Sequence, residues 1–122
     1  PRTTSGVPSF DLVWLGLGAD GHTAGLFAGS AALAARDRLV AAHRVPSIKA
    51  WRMTMTLKLL RAARRIVFFV SGPDKADVVS QVLDSQADPN RLPAASLRGL
   101  PDRVVWVLDA EAARLVRPDR PA

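Results

Sequence analysis

IVFFV, residues 66–70, is an unbroken run of β-branched and aromatic side chains, and it decides the fold class. A strand with one wet face alternates apolar and polar residues, whereas an all-apolar run is the signature of a parallel strand covered on both faces. FDLVWLG (residues 10–16) is a similar run closed by glycine, and VVWVL (residues 104–108) is a third. Helical patterns lie between and beyond them. Residues 30–36 are alanine-rich with Ser30 as a cap, and residues 57–64 place Leu59, Leu60 and Ala63 on one side. Residues 74–84 align Ala76, Val79, Val82 and Leu83 on one stripe, and residues 109–116 read as a last short helix. Residues 39–45 read as a strand closed by Pro46. RMTMTL, residues 52–57, alternates with period two, which predicts a strand burying Met53, Met55 and Leu57 and exposing Arg52, Thr54 and Thr56. This order of strands and helices predicts an α/β fold, a Rossmann-like open, mostly parallel sheet with helices on both faces.

The chain has 122 residues, the size of one domain, and its 48% hydrophobic content suits a globular core. No apolar run approaches the roughly 20 residues that span a bilayer, so no membrane partner is expected. Cysteine is absent, which excludes disulfides and thiolate metal sites and fits a cytoplasmic location. The net charge is +6, which favours anionic partners. The arginines are scattered, with few aromatics among them, so nucleic acid is not expected and most read as a solvated face. Residues 1–9 are polar and lack an initiating methionine, which reads as a linker or a truncated start.

LGLGADGHTAG, residues 15–25, follows the first apolar run. Its Gly16-x-Gly18-x-x-Gly21 spacing matches a dinucleotide-binding turn, but Asp20 inside it would repel a pyrophosphate. The alternative is a loop that presents side chains. Asp20 and His22, two apart beyond the carboxyl end of a buried strand, point the same way, and ligands of open α/β sheets bind at such edges. Gly18 and Gly21 let the chain turn and let a substrate approach the backbone. The only other histidine, His43, lies mid-strand and reads as structural. SGPDKADVV, residues 71–79, reads as a helix start whose amides, from Gly72 on, form an anion site to which Lys75 adds a charge.

The two motifs together, in this order, resemble the 6-phosphogluconolactonase family, within the superfamily that also holds glucosamine-6-phosphate deaminase. DLVWLGLGADGHTAGLFAGS (residues 11–30) is similar to the family's D-L-x-x-L-G-x-G-x-D-G-H-T-A-S-L-F-P-G, with Gly25 in place of Ser and Ala28 in place of Pro. These departures are expected to loosen the second half of the loop. WRMTMTLKLLRAARRIVFFVSGPDKADVV (residues 51–79), LPAASLR (residues 92–98) and VVWVLDAEAA (residues 104–113) resemble its later segments. The family's upstream phosphate loop and acidic motif have no counterpart here, so residues 1–122 resemble the C-terminal part of a single such domain, with an N-terminal half expected elsewhere.

The resemblance implies hydrolysis of 6-phospho-D-glucono-1,5-lactone, a phosphorylated sugar lactone, to 6-phosphogluconate in the oxidative pentose phosphate pathway. It implies His22 as general base, Asp20 as its orienting acid, and amides from Gly18 to Gly21 as oxyanion donors. Lys75 and the amides at Gly72 would hold the phosphate, with Arg52 as a second cation. No cofactor or metal is implied. The alternatives are a glucosamine-6-phosphate deaminase/isomerase and a non-catalytic sugar-phosphate-binding remnant. The deaminase branch resembles D-G-H-I-A-F-N-E-P, and residues 23–27, TAGLF, lack its added acid.

Overall fold

The computed structural model describes residues 3–117. Its centre is a three-stranded parallel sheet made by the three apolar runs: β3 (Val13–Leu15), β6 (Ile66–Val70) and β7 (Val104–Leu108), in the order β3-β6-β7. Val13 sits opposite Ile66, and Phe68 opposite Trp106. A short antiparallel pair, β1 (Thr3–Thr4) and β2 (Val7–Pro8), precedes it. A second antiparallel pair, β4 (Val40–Val45) and β5 (Ala50–Met55), lies between β3 and β6 in sequence, joined by the 3-10 turn Pro46–Ile48. The helices are α1 (Ala31–Ala34), α2 (Leu57–Arg61) and α3 (Ala76–Val82). The mixed α/β class with a mostly parallel sheet is the expected one. No helix among the described residues is long and apolar enough to cross a membrane.

Helices and core sit against one side of the sheet. Leu15, Ile66, Phe68 and Val70 point into it and are buried with Leu60 of α2, Ala63 just beyond that helix, and Val79 and Val82 of α3. Phe68 stacks on Trp106 with ring centres 4.0 Å apart. Residues of opposite parity face away from that core: Trp14 is 68% exposed and Phe69 47%, with Val105 and Val107 beside them. IVFFV is therefore covered on one face within this chain, against the expectation of cover on both.

Three local expectations are corrected. Residues 109–116 form turns rather than a helix, closed at their start by the Asp109 carboxylate, which accepts from Ala112 N at 2.8 Å. The segment after β6 opens as a 3-10 turn, Pro73–Lys75, before α3 begins. No side chain caps that turn; Gly72 stands at its start with φ +100°. The buried set in residues 52–57 differs in part: Leu57 is buried, Met55 packs against the core and Arg52 is exposed as expected, but Met53 is 75% exposed, while Thr54 is 5% exposed and Thr56 is fully buried. Alternation in a strand fixes a period of two but not which set faces inward. Here the threonines go inside because their hydroxyls have carbonyl partners, Thr54 donating to Met55 O at 2.9 Å and Thr56 to Arg38 O at 2.6 Å. Ser30 caps α1 as expected, accepting from Leu33 N at 3.3 Å.

Candidate active site

Parallel strands put their carboxyl ends on one edge of the sheet, so the loops that follow β3, β6 and β7 meet there. The loop after β3 carries Asp20 and His22, the segment after β6 carries Gly72 and Lys75, and Asp109 follows β7 directly. Sequence separation is large and spatial separation small. Lys75 donates from Nζ to Leu17 O at 2.6 Å, and the Asp109 carboxylate accepts from Gly72 N at 3.1 Å.

Asp20 and His22 form the tightest contact of the loop, 2.5 Å between Asp20 Oδ1 and His22 Nδ1. The same oxygen accepts from His22 N at 3.1 Å, so backbone and ring are fixed together. The other side of the imidazole is stacked on Phe27, with ring centres 4.3 Å apart and planes 18° from parallel. Burial raises the tendency of Asp20 to hold a proton. Its hydrogen bonds to His22 and the charge of that ring outweigh burial and leave its pKa below the usual aspartate range. Asp20 is thus an ionised acceptor across neutral pH, and a carboxylate on Nδ1 directs Nε2 outward as a proton acceptor.

The glycines serve the loop's own architecture. A Cβ on Gly18 would overlap Nδ1 and Cε1 of His22 and come within 2.8 Å of Asp20 Oδ1, so only glycine leaves room for the pair. Gly18 N donates to His22 O and Gly21 N to Gly18 O, both at 2.9 Å. Gly21 has φ +86° and lies against Leu92, whose Cα a Cβ would approach to 3.1 Å. The amides of Gly18 and Gly21 thus bond within the loop itself. The Gly72 N–H likewise donates to the protein's own carboxylate, Asp109.

A pocket of about 490 Å³ opens beside this loop, lined by His22, Lys75, Gly16, Gly18, Thr23 and Met55 among others. It brings together His22 and Lys75, while Asp20 braces the ring from behind. Arg52 is not among its lining residues; it is exposed on β5 and donates to the carbonyl of its neighbour Trp51 at 3.0 Å.

Three contributors were not legible as site residues. His43, buried on β4, contacts Gly25 O from Nε2 at 2.9 Å, and Thr54 Oγ1 on β5 accepts from Gly25 N at 2.8 Å. The hairpin thus grips Gly25 at both polar atoms, so that position is pinned rather than loosened. A Cβ there would come within 2.8 Å of Thr54 Cβ, which explains a glycine where the resemblance leads one to expect serine. Phe27, the platform under His22, had no signal beyond its place in the motif.

The carboxyl edge of the parallel sheet thus presents an oriented acid–histidine pair and a lysine around one open pocket, at the place where open α/β sheets bind ligands. The sequence matches, over residues 2–106, the family profile described as glucosamine-6-phosphate isomerases/6-phosphogluconolactonase, and the chain belongs to that family. It is 40% identical over 111 residues to the 6-phosphogluconolactonase of Homo sapiens, an alignment covering 90% of this chain and 43% of that protein. It superposes on the 6-phosphogluconolactonase of Trypanosoma brucei with a TM-score of 0.78 and 34% identity, covering 91% of this chain and 44% of the other. A monomeric glucosamine-6-phosphate deaminase is further off in sequence, 25% identical with a TM-score of 0.69, over 86% of this chain and 47% of that one. The chain spans less than half the length of these relatives.

Proposed function

We propose that this chain carries the acid–histidine half of a 6-phosphogluconolactonase site and acts on 6-phospho-D-glucono-1,5-lactone. The observation that carries the proposal is His22, held by Asp20 at 2.5 Å, on the wall of a pocket that also holds Lys75. His22 Nε2 takes a proton from a water molecule as the water oxygen bonds to the lactone carbonyl carbon. The imidazolium that forms is stabilised by Asp20 and returns its proton to the ring oxygen as the acyl C–O bond breaks. The product is the open-chain acid, with no other reactant consumed. Lys75, held by the Leu17 carbonyl, supplies the positive charge that draws the phosphate. Nothing in the mechanism calls for a metal or a cofactor, and a cytoplasmic setting, where sugar phosphates are made and used, suits it. Residues 23–27 present no acid to assist an amino-sugar substrate, which favours the lactonase over the deaminase.

The bare face at Trp14, Phe69, Val105 and Val107 supports a second part of the proposal: in the working enzyme, the other half of the domain covers that face and completes the phosphate site. The test measures lactone hydrolysis, corrected for spontaneous opening, with light scattering on the same samples. The chain alone should self-associate and hydrolyse little. Joining or co-expressing a segment equivalent to the relatives' unmatched half should give a monodisperse particle and restore turnover. A monodisperse monomer with full turnover on its own would overturn the half-domain reading. A joined protein that folds, binds the lactone and does not turn it over would leave a binding remnant instead.

A further inference from the structure

Away from the Asp20–His22 loop, a second pocket of about 390 Å³ lies between α1, the start of α2 and residues 89–96. It shares no lining residue with the pocket at His22. Two guanidinium groups line it, Arg36 from just beyond α1 and Arg61 from the end of α2, with Ser30, Asn90 and Ser96 as polar neighbours. Among the described residues no carboxylate lines it.

Both arginines are anchored rather than loose. Arg36 donates from one Nη to Leu33 O at 2.9 Å and Ala35 O at 3.2 Å, and Arg61 donates from one Nη to Ser96 O at 3.0 Å. Each bond uses part of a five-donor fork and fixes its direction, leaving further N–H groups on each fork. Burial and the charge of Arg36 both weigh against the proton on Arg61, which marks the two cations as mutually repelling neighbours. The nearby acids are otherwise engaged: Asp37 pairs with Arg38 at 3.6 Å, and Asp88 accepts from Asn90 N at 2.9 Å. Two pre-oriented cations on one pocket wall, with polar side chains and no counter-charge, suit an anion able to accept bidentate bonds.

We propose that this pocket is a second anion site, distinct from the catalytic one, that binds the phosphate group of a small phosphorylated metabolite. Arg36 and Arg61 hold the phosphate, and Ser30, Asn90 and Ser96 meet the polar groups attached to it. Its position, off the carboxyl edge and lacking a histidine, makes it a binding site rather than a place of reaction.

Equilibrium dialysis of the full chain against radiolabelled inorganic phosphate tests this, and is insensitive to self-association. The unaltered chain should bind phosphate saturably, and the component assigned here should persist in Lys75→Gln. The double variant Arg36→Gln/Arg61→Gln should weaken that component at least tenfold. Because Gln cannot replace the anchoring bonds, Asn90→Asp provides an independent arm. It leaves both arginines anchored and adds a repelling charge, and it should weaken the same component with unaltered thermal stability. Phosphate binding abolished by Lys75→Gln, or unchanged in Arg36→Gln/Arg61→Gln and in Asn90→Asp, would overturn the proposal. Loss through Lys75→Gln would leave the catalytic reading standing, so the two are separable.

Discussion

Gly18→Ala separates the chemistry of the loop from its stability. Gly18 is not among the glycines with positive φ, so alanine is not strained there. Removing a glycine's freedom from the unfolded chain should, if anything, stabilise by about 0.5 kcal/mol. The new Cβ nevertheless overlaps the His22 ring and lies 2.8 Å from Asp20 Oδ1, against an ordinary contact of 3.4 Å or more. The carboxylate must retreat by about 0.6 Å and the ring by more, roughly an ångström, since the overlap with it is deeper. A displacement of that size breaks the 2.5 Å pair and turns Nε2 away from the pocket. Misplacement of about 1 Å at a reacting group costs on the order of 10²-fold, near 2.7 kcal/mol of barrier.

The measurement is kcat and KM for lactone hydrolysis in the protein joined to its complementary half, with thermal unfolding of the same variant. The expected result is kcat down about 10²-fold, KM nearly constant, and a melting temperature equal to or slightly above the parent's. Turnover at the parental level would refute the claim that Gly18 exists to make room for the pair. A melting temperature that falls along with kcat would show that Gly18 supports the fold instead.

The remaining expectations use the same joined protein. His22→Ala should lower kcat by roughly 10²–10⁴ with phosphate affinity near normal, and unaltered turnover would remove His22 from the role of base. Lys75→Ala should weaken binding of the phosphorylated lactone and flatten its salt dependence, leaving a non-phosphorylated lactone little affected; equal losses for both would make the Lys75–Leu17 contact structural. Gly25→Ala should destabilise by about 1–3 kcal/mol, because the Thr54 it meets is buried and cannot swing aside; a melting temperature unchanged by the substitution would mean that the hairpin grip on Gly25 is slack.

The site was legible where its chemistry is contiguous. Asp20, His22 and the glycines at 18 and 21 fall in one short loop, so spacing alone suggested that the acid and the ring face one place. Lys75 joins them only because β3 and β6 are neighbours in the sheet, a pairing that periodicity within either strand does not encode. Asp109 was read as the start of a helix, and its bond to Gly72 depends on β7 lying beside β6. The misreading of Thr54 and Thr56 has a different origin. Threonine on an alternating strand looks like a solvent-facing residue, and only the partners of its hydroxyl reverse that. Thr54 is buried where it links Gly25 to the hairpin, so its misread burial and the unforeseen clamp are one fact seen twice.

The same logic bears on IVFFV. Its uniform apolarity describes both faces of a finished sheet, whereas this chain brings only short helices to it, the longest being the seven residues of α3. These suffice for the side holding Ile66, Phe68 and Val70. On the other side the rings of Trp14 and Phe69 pack together with centres 4.6 Å apart, and both stay largely exposed, as do Val105 and Val107. An apolar patch of that kind on a globular protein marks a surface that something covers. The loop that carries Asp20 and His22 springs from the end of β3, directly after Trp14 and Leu15. On the proposed reading, whatever covers the bare face lies against the strand that leads into that loop. Covering the face and completing the site would then be one event, so restored turnover and loss of self-association should appear together in the joined protein.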